Sequence, residues 1–154
     1  MKKALLILFV LFAGVVQGQE KEYYIGKYGT SLQASVIAVG IQANYHLFIN
    51  PKAKFMTIPK VGIGYGLAQL PLYYNVGIDL AYGGKNRIFL GLGGYYNLGY
   101  TESKDVYGDV GYLLLGKKHL FLNLTFRIHY ELTCECKQIS PFFGDFLFGL
   151  GWKF

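Results

Sequence analysis

The sequence predicts an all-β fold: a single closed antiparallel up-and-down transmembrane β-barrel of about eight strands, preceded by a signal peptide. Three observations predict it. Apolar and polar residues alternate with period two in successive segments of roughly ten residues, as strands with one apolar face require. Clusters of Gly, Asn, Pro and charged residues punctuate those segments. Past residue 18 no stretch is long and apolar enough for a membrane helix, although 53% of the chain is hydrophobic and 18% aromatic.

The last segment is the clearest strand. Phe146, Phe148, Leu150, Trp152 and Phe154 fall on one face, and Leu147, Gly149, Gly151 and Lys153 on the other. In a membrane barrel such an apolar face meets lipid, with aromatics at the water boundary. As the closing strand of a barrel, this segment needs an odd number of strands before it.

Residues 1–18 read as the signal. Lys2 and Lys3 make a short basic start, Ala4 to Val16 an apolar run, and Val16 and Gly18 flank a cleavage point before Gln19. The run is too short for a transmembrane helix of about 20 residues. Residues 19–154 are then one barrel domain. Two cysteines are too few for a disulfide-stapled secreted module. The formal charge of +6 is modest and scattered, with no basic stripe interleaved with stacking aromatics, so no nucleic-acid partner is expected.

The strands follow in order. Strand 1 is expected within Glu22 to Ser31. Strand 2 sets Ile37, Val39, Ile41, Ala43, Tyr45, Leu47 and Ile49 against Ala38, Gly40, Gln42, Asn44 and His46, and Asn50-Pro51-Lys52 ends it. Strand 3 sets Val61, Ile63, Tyr65 and Leu67 against Lys60, Gly62, Gly64 and Gly66. Strand 4 sets Tyr74, Val76, Ile78, Leu80 and Tyr82 against Tyr73, Asn75, Gly77, Asp79 and Ala81.

Gly83-Gly84-Lys85-Asn86 is a short hairpin connection. Strand 5 sets Ile88, Leu90, Leu92, Tyr96, Leu98 and Tyr100 against Arg87, Phe89, Gly91, Gly93, Tyr95 and Asn97. After a polar loop at Thr101 to Asp105, strand 6 (Val106 to Leu115) places Val110, Tyr112 and Leu114 outward and Tyr107, Asp109 and Gly111 inward. Strand 7 sets Leu120, Leu122, Leu124, Phe126, Ile128 and Tyr130 against Phe121, Asn123, Thr125, Arg127, His129 and Glu131. Thr133 to Ser140 is a long loop, and Phe142 to Phe154 is strand 8.

Counted back from Phe154, the turns at Gly83 to Asn86 and Gly116 to Lys118 fall on the side of the chain termini and are short, while the loops at 101–105 and 133–140 fall opposite and are longer. Aromatics sort into two girdles at the membrane interfaces: Tyr74, Tyr96, Tyr100 and Tyr130 at one level, Tyr82, Trp152 and Phe154 at the other. Closure removes the unpaired edges that lipid does not tolerate.

With the leader, the turn Leu115-Gly116-Lys117-Lys118-His119 and the terminal Gly149-Leu150-Gly151-Trp152-Lys153-Phe154, the chain resembles the small, eight-stranded outer-membrane β-barrel proteins of Gram-negative bacteria. The resemblance implies a location in the outer membrane, contact with outer-membrane lipid and assembly by the barrel-assembly machinery through the C-terminal strand. It implies no specific activity. A structural, adhesive or envelope-maintenance role is the expectation, and an extracellular partner is not identified.

Eight strands enclose a lumen just wide enough for side chains to fill. The inward lists predict a polar network of Asp79, Arg87, Asp109, Arg127, His129, Glu131 and Asp145, with Lys60 also available to the carboxylates. Unpaired charge there is expensive. Inward glycines (Gly62, Gly64, Gly91, Gly93, Gly111, Gly149, Gly151) read as room for long residues such as Phe89, Tyr95, Phe121, Arg127 and Lys153 from other strands. An interlocked plug is expected rather than a gated conduit or ligand site.

The sharpest candidate for chemistry is Arg127-Ile128-His129-Tyr130-Glu131, where His129 and Glu131 share a face about 7 Å apart. A histidine with an orienting carboxylate can be a general base. Outer-membrane lipid A deacylases are barrels of similar size with a Ser-His-Glu site. Here Glu131 stands where serine is needed, Ser103 and Ser140 are in loops, and His129 points into the lumen, away from lipid. A catalytic role for His129 and Glu131 is therefore the alternative, and no enzyme activity the expectation. A further alternative, a soluble exported lipocalin-like carrier, needs the opposite pattern, apolar inside and polar outside.

Cys134-Glu135-Cys136 is too short for an easy disulfide and offers too few ligands for zinc. The Gly-rich strands lack a following helix, so no phosphate loop is present. Asn123-Leu124-Thr125 matches a glycosylation acceptor but lies within a strand. No metal and no cofactor are expected.

Overall fold

Eight antiparallel strands pair in sequence order, and the first closes on the last. They are β1 (Tyr28–Ser35), β2 (Gly40–Leu47), β3 (Phe55–Gly66), β4 (Tyr73–Gly83), β5 (Asn86–Asn97), β6 (Lys104–Leu115), β7 (Leu120–Glu131) and β8 (Phe142–Lys153). This is a computed structural model, and it describes residues 26–37, 39–66, 72–98, 104–116, 119–132 and 142–154. Residues 1–18, expected to be a signal, and Tyr100, Ser103, Ser140, Cys134 and Cys136 lie outside the described residues.

Period-two alternation decides which way each side chain points. Along β7, Phe121, Asn123, Thr125, Arg127 and His129 are buried while Leu120, Leu124, Ile128 and Tyr130 are exposed. The outer wall is apolar all the way round: Leu92 is 70% exposed and Leu90 64%, whereas Arg127 is 1% exposed. Buried charges and exposed leucines are the reverse of a water-soluble domain, and the reverse of a soluble carrier.

Strand 1 lies further along the chain than its sequence suggests. Its ladder with β8 runs from Gly29↔Lys153 to Ser35↔Leu147, so Ser31 and Gln33 turn inward and Leu32 outward. Strand 2 is correspondingly shorter. With Ser35↔Gly40 the last pair, Val36, Ile37 and Val39 fall in the turn, which takes Ile37 and Val39 out of the strand.

Strand 3 begins at Phe55, not Lys60, and runs straight through Pro59. The bonds between Thr57 and Ile49 show that this side of β3 faces β2. Pro59, two residues on, therefore directs its missing donor into the gap between the His46↔Lys60 pair and the Ile49↔Thr57 bridge. Strand 6 also starts earlier, with Lys104 and Asp105 drawn out of the expected loop by pairing with Tyr96 and Tyr95.

Inward glycines make the interior possible. A Cβ at Gly151 would collide with the Phe121 ring, at Gly111 with Phe89, at Gly64 with Tyr73, at Gly93 with Tyr107, and at Gly91 with the Asp79 carboxylate. Each missing side chain is the space its neighbour fills. Gly84, in a turn, provides the contrast: a Cβ there would meet nothing within 4 Å.

Gly151→Ala is therefore expected to destabilise the folded barrel by about 1–3 kcal/mol through overpacking, with Gly84→Ala close to neutral. Denaturant unfolding of both variants in lipid or detergent checks this; equal stability would show that the lumen is loosely packed.

Candidate functional site

The lumen is where the described residues gather buried polar chemistry, and it is filled in three layers. Nearest the chain termini is an apolar plug of Phe48, Met56, Ile58, Ala81, Phe89, Leu113, Leu115 and Phe121. The sequence predicts an interior polar on nearly every strand, with Phe89 and Phe121 pointing inward, and the structure corrects this by gathering them with Met56, Ile58, Leu113 and Leu115 into a wholly apolar layer. Met56 and Ile58 precede Pro59, in a segment whose pattern does not announce a strand. Leu113 and Leu115 stand in an unbroken leucine run where alternation marks no face. His46 borders the plug: it is hydrogen-bonded to the Ser31 hydroxyl at 2.8 Å, and Phe121 meets its ring edge-on at 5.5 Å.

The middle layer is ionic. Lys60 on β3 donates to both carboxylate oxygens of Asp79 on β4, at 2.7 and 2.9 Å, and to Oδ2 of Asp109 on β6, at 2.8 Å. Arg127 on β7 grips the same Asp109 with two prongs, Nε to Oδ1 at 2.6 Å and Nη2 to Oδ2 at 2.7 Å. A two-pronged guanidinium–carboxylate pair fixes geometry as well as charge. The guanidinium carbon sits 3.9 Å from the centre of the Tyr107 ring, and Nη1 donates to the Tyr95 hydroxyl. Two cations and two carboxylates balance, which a buried cluster needs.

Nearest the opposite end is a layer of amides and rings. Gln42 donates to Gln33 at 2.9 Å and to Asn44 at 2.8 Å, Asn44 donates to Gln33 at 2.9 Å, and the Tyr95 hydroxyl donates to Gln42 at 3.2 Å. Gln33 is missed by sequence reasoning because the expected strand 1 ends before it. Its signal is the alternation Ser31, Gln33 against Leu32, Ala34.

The structure thus brings Asp79, Asp109 and Arg127 together, with Lys60 joining them. It takes Arg87 elsewhere, and Asp145, although opposite Arg127 in the β7–β8 ladder, makes its hydrogen bonds to the β1–β2 turn. Arg87, expected to pair with a carboxylate, is fully buried and donates to the backbone carbonyls of Pro51, Ala53 and Lys54, holding the β2–β3 connection over the barrel end. Its position at the start of β5, beside the barrel end, points it at that connection rather than across the lumen. Asp145 accepts from the Ser35 hydroxyl at 2.6 Å and the Ile37 backbone N–H at 3.0 Å, so it ties down the β1–β2 turn.

Among the described residues His129 and Glu131 are not hydrogen-bonded to each other. The His129 ring lies against Phe143 at 4.2 Å and 5°, with Tyr95 at 5.3 Å and 11°, and neither ring nitrogen has a hydrogen-bond partner among the described residues. General-base chemistry needs an orienting hydrogen bond, and these residues supply none. Among the described residues no group of three or more His, Cys, Asp or Glu side chains is placed to hold a metal ion.

The girdles take shape as ring pairs. At the loop end Tyr74 stacks with Tyr96 at 5.2 Å and Tyr130 meets Phe142 at 4.8 Å. At the terminal end Tyr82 meets Phe55 at 4.8 Å, Trp152 stacks on His119 at 5.1 Å, and Phe154 contacts Tyr28 and Tyr45, each at 6.4 Å.

Two outcomes are expected of the lumen. Asp109→Ala leaves Arg127 without its two-pronged carboxylate and Lys60 with Asp79 alone, and should cost about 3–5 kcal/mol in denaturant unfolding; a loss under about 1 kcal/mol would mean the cluster is solvated. His129→Phe keeps the ring stack and discards unused nitrogens, so it should change stability by less than about 1.5 kcal/mol.

No protein-family model and no curated protein matches the chain. Among solved structures it is similar to a de novo designed transmembrane β-barrel, with a TM-score of 0.57 and 14% identity over 87% of this chain and 100% of that one. It is also similar, with a TM-score of 0.48 and 13% identity, to Neisserial surface protein A (NspA), over 82% of this chain and 93% of that protein. The first likeness agrees with the ladder geometry: the fold is that of an eight-stranded transmembrane β-barrel.

Proposed function

We propose that the protein is an integral outer-membrane β-barrel of a Gram-negative bacterium, with a sealed lumen and a structural, adhesive or envelope-maintenance role. One observation carries this reading: an unbroken apolar outer wall, edged by ring pairs at both ends, encloses a charge-balanced interior. Lipid is the solvent that suits such a wall. Residues 1–18 then serve as the export signal and are removed, and β8, with Phe154 at its end, is the strand offered to the barrel-assembly machinery. The termini face the periplasm.

The filled interior argues for a scaffold rather than a channel. The Lys60–Asp109 bond crosses from β3 to β6, and the apolar plug lies beneath it. No catalytic step enters this reading, because its candidate base, His129, has no hydrogen-bond partner among the described residues.

The expected behaviour is co-fractionation with the outer membrane, with a folded band on gels that shifts on boiling. Recovery of the native protein from the soluble periplasmic fraction would overturn the proposal. In planar bilayers the folded protein should give no steady conductance.

A further inference from the structure

The charges of the barrel are distributed unequally between its two ends. Every described Asp or Glu lies in the middle layer or toward the loop end: Asp79, Asp105, Asp109, Glu131 and Asp145. Among the described residues, the segments forming the terminal end, residues 26–30, 44–58, 80–90, 111–116, 119–126 and 146–154, contain no Asp or Glu at all. The same end presents Lys27, Lys52 and Lys54, all exposed, and Lys85, half-buried. Lys60 is paired inside the barrel, but none of these four joins an ion pair among the described residues. Lys153 is buried, and its ammonium donates to the Gly116 carbonyl at 3.1 Å.

Placement says what these ammonium groups meet. Lys27 precedes Tyr28, Lys54 precedes Phe55 and Lys85 lies three residues past Tyr82, and those three rings belong to the aromatic girdle of this end. Such a girdle marks the depth of the headgroups, and a lysine stem can lie along apolar surface while its ammonium reaches the phosphate level. The lysines also occupy separate sites around the rim: one before β1, two on the β2–β3 connection, one on the β4–β5 turn. A ring of separated charges suits an annulus of small anions rather than one docked polyanion. Nor can an anion go into the barrel here, since the apolar plug fills it.

Resting on the membrane-spanning reading above, we infer that the terminal rim is a binding surface for anionic phospholipid headgroups of the facing leaflet, with Lys27, Lys52, Lys54 and Lys85 as the phosphate contacts. A zwitterionic headgroup sets its own ammonium against its phosphate. A phosphatidylglycerol-type headgroup leaves the negative charge for the protein.

The test folds the full chain into phosphatidylcholine bilayers carrying a trace of spin-labelled phosphatidylglycerol or spin-labelled phosphatidylcholine, and reads the motionally restricted lipid fraction by electron spin resonance. One lysine near an anionic surface contributes roughly a fivefold factor before screening, so a preference of about two- to fivefold for phosphatidylglycerol is expected at low salt. It should fade as salt is raised, and weaken in the Lys27→Gln, Lys52→Gln, Lys54→Gln, Lys85→Gln variant. Equal restriction of the two lipids by the wild type, the outcome if the rim instead serves an acidic protein or cell-wall polymer, overturns the inference. A preference left undiminished by all four substitutions overturns it too. Folding in the bilayer, read by the heat-shifted band, is a separate readout: a chain that never inserts sinks the membrane reading and this inference with it, while one that inserts without preference sinks the inference alone.

Discussion

Asp109 accepts hydrogen bonds from Lys60 on one side and Arg127 on the other, and so joins β3, β6 and β7 through the middle of the barrel. In a lipid-facing protein the outer wall gains little from apolar contact, because lipid tails are as apolar as leucine. Shape and specificity must come from the closed backbone ladder and from what fills the inside. An ionic cluster meets that need only if its charges balance and its donors are satisfied. Lys60, Asp79, Asp109 and Arg127 achieve both, and the rings of Tyr95 and Tyr107 flank the Arg127 guanidinium.

The glycines and the long side chains are two halves of one arrangement. Tyr107 needs Gly93, Phe121 needs Gly151, Phe89 needs Gly111, and Asp79 reaches its lysine because Gly91 has no side chain in the way. Glycine weakens a strand where it stands, yet here it permits close filling of a narrow cylinder. The result is a lumen with an apolar seal at one end, a charge cluster in the middle and an amide–aromatic layer at the other.

Much of this is legible in the sequence, for a physical reason. Strands 4 and 7 alternate along their length, and strands 5 and 8 alternate over Arg87 to Leu92 and Asp145 to Lys153, so the faces of Asp79, Phe89, Arg127 and Lys153 follow from parity alone. The first hairpin is less legible. Its alternation is diluted by Gly29, Thr30 and Ala34, and Val36-Ile37 looks like strand although it forms the turn. Pro59 hides the start of β3, because a proline is tolerated inside a sheet only where the neighbouring ladder lapses, and that depends on register. Partner choice is the least legible. Parity puts Arg87, Asp145 and His129 inside, but only their heights in the barrel separate a carbonyl clamp, a turn tie and an unbonded stacked ring.

The central claim is that the apolar face meets lipid and the charged face meets itself. Trp152, the single tryptophan of the chain, lies on the outer face of β8, while Phe121 is buried within the lumen. Fluorescence quenching by phospholipids brominated on their acyl chains, applied to the wild type and to a Trp152→Phe, Phe121→Trp variant, compares the two faces directly. The account predicts strong quenching of Trp152 and protection of the tryptophan at position 121. Protection of Trp152 together with quenching at 121 would contradict it.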